Sequence, residues 1–109
     1  MKCTMNEQVR CINSLNRIIH EPGRLKIVAH LAGLKECDFI YLLNEIGMSK
    51  GNLSTHLTRL EAAGYIQIDK TYRGKTPLTV LRLTEAGHAA FKEYFQTLKT
   101  ALNQGAGAG

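Results

Sequence analysis

Between Gly47 and Gly64 the chain carries Leu53, Leu57 and Leu60 at four- and three-residue steps, the spacing that lines one side of an α-helix. Ser49 supplies a hydroxyl able to cap the start of that helix, and Gly64 stands where a left-handed residue ends one. Just upstream, Phe39, Leu42, Leu43 and Ile46 mark a shorter helix that Gly47 stops. Only Gly47-Met48-Ser49 separates the two, so the segment reads as a helix, a tight turn and a longer helix. Such a pattern occurs in many small helical proteins, and its meaning depends on what flanks it.

The flanks narrow the choice. Val9, Ile12, Leu15, Ile18 and Ile19 predict a first amphipathic helix over Glu7 to Ile19. His20-Glu21-Pro22-Gly23 interrupts it, and Pro22 suits the first turn of a second helix whose stripe is Leu25, Ile27, Val28 and Leu31, ending near Gly33. Lys35 to Asp38 is a short polar connection with room for one bridge of strand. After Gly64, Tyr65 to Lys70 and Leu78 to Leu83 alternate as strands, and Thr71 to Pro77 joins them as a turn with Arg73 and Lys75 at its tip. Thr84-Glu85 opens a last helix, lined by Phe91, Tyr94, Phe95, Leu98, Ala101 and Leu102. The fold class expected is α+β, mostly α, with a two-stranded β-hairpin and additional N- and C-terminal helices. A chain of 109 residues supports one domain, here 1–103, followed by an Ala/Gly-rich tail, 104–109, that should fray.

Composition excludes several classes. No apolar run approaches the roughly twenty residues of a membrane span, and the first residues lack the apolar stretch of a secretory signal, which predicts a cytoplasmic protein. Cys3, Cys11 and Cys37 are odd in number and scattered, so they read as free thiols rather than as a disulfide framework or zinc ribbon. His20, His30, His56 and His88 are dispersed without metal-ligand spacing, and no phosphate-binding loop, nucleophile elbow or H-E-x-x-H motif occurs. Neither catalytic residues, metal nor cofactor are therefore expected. The net charge is +5, and Ser49 to Leu83 accounts for +4 of it, through Lys50, Arg59, Lys70, Arg73, Lys75 and Arg82 against Glu61 and Asp69. A basic concentration of this kind suits nucleic acid, and it also suits solubility alone.

The order of these elements resembles a winged helix-turn-helix, specifically the MarR/ArsR-like transcription regulators in their small stand-alone form. Glu21-Pro22-Gly23-Arg24-Leu25-Lys26-Ile27 is similar to the x-P-x-R-L-x-I that starts that family's second helix. Ser49 to Ile66 is similar to its S-x-x-x-L-S-x-H-L-x-x-L-E-x-A-G-Y-I segment, and Leu83-Thr84-Glu85-Ala86-Gly87 to its L-T-x-x-G. Together they cover about residues 15 to 100. The resemblance implies a sequence-specific regulator of transcription, commonly a repressor, that binds double-stranded DNA as a homodimer through its terminal helices. The stretch Phe39 to Ile46 lacks the Cys-x-Cys of the metal-sensing members.

On the helix of residues 49–63, a rotation of about 100° per residue leaves Gly51, Thr55, Thr58 and Ala62 opposite the leucines, with Asn52 and Arg59 on one flank and Ser54 on the other. Small side chains let a helix approach the major groove closely. Asn suits adenine, Thr a thymine methyl or a phosphate, and Arg guanine or the backbone. Ser49 and Lys50 at the helix start suit phosphate. A merely solvated face would be richer in Lys and Glu. His56 lies beside the seam and is read as a packing or hydrogen-bonding residue. Arg73 and Lys75, in a wing of residues 71–77, suit the minor groove or flanking phosphates. Val9, Ile12, Phe91, Tyr94, Phe95, Leu98 and Leu102 exceed what one small core buries, and a second copy is their expected cover. Two-fold symmetry then favours a palindromic operator. The alternative is a winged helix that serves only as a protein-interaction module.

Overall fold

Asn16 sets the entry into the fold. Its Oδ1 accepts hydrogen bonds from the backbone N–H groups of Ile18 (2.9 Å) and Ile19 (3.2 Å), and its Nδ2 donates to the Tyr65 hydroxyl (2.7 Å). The computed structural model describes residues 16–107. Val9, Ile12 and most of the predicted first helix lie outside these residues, and its expected last turn is a correction: Arg17 to Ile19 is a turn, not helix. An Asn side chain that bonds its own following N–H groups competes with helical hydrogen bonding, which accounts for the difference. Arg24 Nε reinforces the turn by donating to the Ile18 carbonyl at 2.6 Å.

The first described helix, α1 (Pro22–Ala32), begins with Pro22 in its first turn and Glu21 as the cap. The Glu21 carboxylate accepts from the N–H groups of Gly23 (3.1 Å) and Arg24 (2.8 Å). Burial raises the Glu21 pKa, but these backbone donors and the neighbouring His56 and Arg24 outweigh it and hold the carboxyl below its ordinary value. Ile27, Val28 and Leu31 are fully buried. The polar connection ends in β1 (Cys37–Asp38), and Asp38 then caps α2 (Phe39–Ile46) by accepting from Tyr41 N–H at 2.8 Å. Gly47, at φ 73°, closes α2 in the left-handed region that favours glycine.

Ser49 Oγ accepts from Asn52 N–H at 3.1 Å and starts α3 (Lys50–Ala62), where Leu53, Leu57 and Leu60 are buried as their spacing requires. Gly64, at φ 81°, turns the chain into β2 (Ile66–Arg73), which pairs antiparallel with β3 (Thr76–Leu83). β1 adds to the other side of β3, giving the order β1-β3-β2. The hairpin is longer than its sequence suggests. Thr71 to Arg73 and Thr76-Pro77, read as loop, continue the strands, with Thr71 opposite Leu78, Tyr72 opposite Pro77 and Arg73 opposite Thr76. Only Gly74 and Lys75 form the turn, with Gly74 at φ 64° in the first position, as a type II′ turn requires. Next to a turn-closing pair the antiparallel pattern places a non-hydrogen-bonded pair, so Pro77 breaks no ladder bond with β2.

Thr84 joins the end of α3 to the last helix, α4 (Glu85–Gly107). Its hydroxyl lies 2.6 Å from the Gly64 carbonyl and 3.0 Å from Gly87 N–H, while its own N–H donates to the Tyr65 carbonyl at 3.0 Å. A Cβ at Gly87 would collide with that same carbonyl and with Leu83. α4 runs past Asn103 to Gly107, and no proline halts it. One core collects Ile19, Ile27, Val28, Leu31, Leu42, Leu53, Leu57, Leu60, Ile66, Leu81, Leu83 and Tyr94. Among the described residues no helix is long and apolar enough to cross a membrane.

Candidate nucleic-acid interface

Every residue that the sequence singled out on α3 and the hairpin is exposed: Ser49, Lys50, Gly51, Asn52, Ser54, Thr55, Thr58, Arg59, Arg73 and Lys75. The leucine seam accounts for the α3 face, because burying Leu53, Leu57 and Leu60 turns the opposite side outward. Thr55 and Thr58 donate their hydroxyl hydrogens to the carbonyls four residues back, Gly51 (3.0 Å) and Ser54 (2.9 Å). Each threonine thus retains an acceptor oxygen and a methyl group for an outside partner. A Cβ at Gly51 would meet nothing within 4 Å, so internal packing does not require glycine there.

His56 takes the structural place expected of it. Its Nδ1 lies 3.4 Å from Glu21 Oε2 and 3.4 Å from Arg24 Nη1, tying the inner flank of α3 to the cap of α1. Gly23 makes room for this contact, since a Cβ there would lie 2.6 Å from His56 Nε2.

The hairpin register sorts its cations. Ile66, Ile68, Lys70 and Tyr72 share one face of β2, opposite Leu83, Leu81, Thr79 and Pro77, and burial of Ile66, Leu81 and Leu83 fixes that face toward the helices. Gln67, Asp69, Thr71 and Arg73 point the other way. Arg82 Nη2 pairs with Asp69 at 2.6 Å across the strands, and hydrogen bonds from Gln67 and Arg82 hold the Asp69 carboxyl below its usual range. Among the described residues, Lys50, Arg59, Lys70, Arg73 and Lys75 have no carboxylate partner. The cationic surface is therefore narrower than the raw charge count suggests.

Between α3 and the hairpin runs an open groove of about 420 Å³. Lys50, Ser54, Leu57 and Thr58 form one wall, and Ile68, Lys70 and Thr79 the other. Lys70 and Thr79 are absent from the sequence-derived site. The signal for them was available, because Ile66 and Ile68 set the parity that carries Lys70 to the same face.

The predicted dimer-forming residues divide. Tyr94 is a correction: it is 4% exposed in the chain's own core, with its hydroxyl 2.8 Å from His20 Nδ1. Phe91 and Leu98 are half-buried against that core, whereas Phe95 and Leu102 are 57% and 64% exposed. Cys37 is half-buried in β1, where burial first and the Asp38 charge second push its thiol pKa up, away from the reactive thiolate.

The winged helix DNA-binding domain family matches residues 24–102. The chain is 34% identical over 88 residues to the uncharacterized protein MJ0432 of Methanocaldococcus jannaschii, an alignment covering 80% of this chain and 96% of that one. It is similar to the structure of the transcriptional regulator homologue protein from Pyrococcus horikoshii OT3, with TM-score 0.80 and 26% identity over 91% of this chain and 96% of that one. A MarR-family transcriptional regulator from Silicibacter pomeroyi shares the fold at TM-score 0.63 and 14% identity, over 89% of this chain and 64% of that one. An ArsR-family regulator shares it too. A buried leucine seam, an exposed small-polar helix face and a basic two-stranded wing thus coincide with a family match over most of the chain: it belongs to the winged helix DNA-binding domain family, with the fold of MarR- and ArsR-type transcriptional regulators.

Proposed function

We propose that the protein is a cytoplasmic, sequence-specific transcription regulator that acts as a homodimeric repressor on a palindromic operator. The observation that carries this reading is the exposed α3 face, where Gly51, Asn52, Ser54, Thr55 and Thr58 are flanked by the cations Lys50 and Arg59, which have no carboxylate partner among the described residues. α3 enters the major groove. Asn52, Thr55 and Arg59 read base edges, while Ser49, Gly51, Ser54 and Thr58 line the close approach and Lys50 holds phosphate. The wing lies along the minor groove or backbone through Arg73 and Lys75.

A second copy covers Phe95 and Leu102, together with Val9, Ile12, Phe91 and Leu98, and spaces the two α3 helices for successive major-groove turns about 34 Å apart. No catalytic residue, metal or cofactor belongs to this reading.

Selection from a random duplex pool at about 150 mM salt, followed by titration against a scrambled duplex, tests it. A palindrome preferred by at least about 10³ is the expected outcome. Salt-sensitive binding without enrichment would reduce the protein to an architectural DNA binder, and no binding would make it a protein-interaction module.

A further inference from the structure

His56 Nδ1 stands between two opposite charges at the same distance. Glu21 Oε2 and Arg24 Nη1, both from the start of α1, each lie 3.4 Å from it. A ring nitrogen holds either a proton or a lone pair, so Nδ1 serves one of these neighbours at a time. With a proton it donates to Glu21, and with a lone pair it accepts from Arg24. Both neighbours are held in place. Glu21 is fixed as the helix cap by the N–H groups of Gly23 and Arg24, and Arg24 is fixed through Nε on the Ile18 carbonyl. The other ring nitrogen, Nε2, lies against Gly23, where a Cβ would be 2.6 Å away. Around this group, Tyr65 just before β2 engages Asn16 through its hydroxyl, and His20 turns its Nδ1 to Tyr94 of α4. On α3 itself, Arg59 stands three residues further along.

We propose that His56 is a proton-dependent positioning residue, whose ring shifts its clasp from Arg24 to Glu21 and takes up a proton when α3 binds a duplex. The inference rests on the DNA-binding reading above and adds a control on it. Histidine is the side chain suited to change charge near neutral pH. The fields of Glu21 and Arg24 oppose each other at the ring, so a third charge shifts the outcome. The phosphates of a duplex on the outer face of α3 supply a negative one. His56 keeps 20% of its side chain exposed, so the ring is not closed off from that field. Proton uptake sets the sign: affinity for DNA rises as pH falls.

The test uses the full chain and its selected duplex at fixed salt. From about pH 8 to about pH 6 the wild type should gain about threefold in affinity beyond any gain of His56→Asn, the factor that Coulomb's law gives one unit charge about 7 Å from a phosphate in water. The Asn amide offers a donor and an acceptor and carries no charge, and the other histidines remain in the variant, so the difference belongs to His56. Glu21→Gln, which removes the partner of the charged ring, should lose the same part of the gain. A merely structural His56 would instead lower affinity by one factor at every pH. Nitrogen NMR of the wild-type ring needs no variant: at about pH 7, added duplex should raise the protonated fraction of His56. Parallel pH profiles for wild type and His56→Asn, or a ring whose protonation is unchanged by duplex, would overturn the proposal and leave the DNA-binding reading standing. If the wild type binds no duplex, that reading falls and this one with it.

Discussion

Glu21 Oε2 lies 3.4 Å from His56 Nδ1, so the residue that caps α1 also touches the inner flank of the helix that faces outward in the candidate interface. The same carboxylate accepts from Gly23 and Arg24 N–H, and Arg24 in turn holds the Ile18 carbonyl. The folded-state pKa of Glu21 is depressed from its ordinary 4.5. Its stabilising contribution is therefore complete above about pH 4.5 and is lost as pH falls through the lower folded value. Glu21→Ala should cost about 1 kcal/mol at neutral pH through the lost cap. The stability difference between wild type and Glu21→Gln should shrink in urea unfolding at about pH 3. A difference unchanged between the two pH values would remove the carboxylate from this role.

Two glycines separate function from packing. Gly87→Ala places a methyl against the Tyr65 carbonyl and Leu83 and should cost about 1–3 kcal/mol by forcing that junction apart. Gly51→Ala meets open space at the second residue of α3 and should stabilise the fold by up to about 0.5 kcal/mol through helix propensity, less than the same change at a helix centre. It should nevertheless weaken binding to the selected duplex, because the added methyl stands on the face proposed to enter the major groove. Thermal unfolding and duplex titration of the same two proteins check both statements.

At the wing tip, Lys75 occupies the second position of a two-residue turn and projects from the end of the hairpin. Lys75→Ala should weaken binding to all duplexes about equally and lower the salt slope by roughly one unit. A loss confined to the selected sequence would assign Lys75 to base or groove-width readout instead.

Phe95 and Leu102, the large apolar side chains exposed among the described residues of α4, give the dimer its test. Light scattering at micromolar concentration should return twice the 12.1 kDa chain mass for the wild type. Phe95→Lys with Leu102→Lys should return the single-chain mass and reduce operator affinity. Tyr94→Phe removes the hydroxyl that meets His20 and should cost about 1 kcal/mol of stability with the oligomeric mass unchanged. A wild-type mass of one chain would end the dimer reading and leave Phe95 and Leu102 without a cover.

Much of the fold is legible because its boundaries are local chemistry. Pro22, Gly47, Ser49, Gly64 and Thr84 each fix a helix end through a backbone angle, a missing donor or one side-chain hydrogen bond, and none of these needs a distant partner. The leucine seam of α3 then determines its outer face by helical period alone, which is why the eight interface residues expected between Ser49 and Arg59 are exposed. Tertiary structure decided what depends on residues far apart in the chain. Tyr94 turns inward to meet His20, 74 positions away, and Asn16 reaches Tyr65 across 49. The extended β2–β3 pairing carries strand parity beyond Lys70 into residues that read as loop, so Arg73 is turned to the face opposite Lys70, and Asp69 ties up Arg82. Capping and periodicity act within a few residues and are written in the sequence, whereas side-chain partners across the core and strand register follow only from how the assembled elements pack.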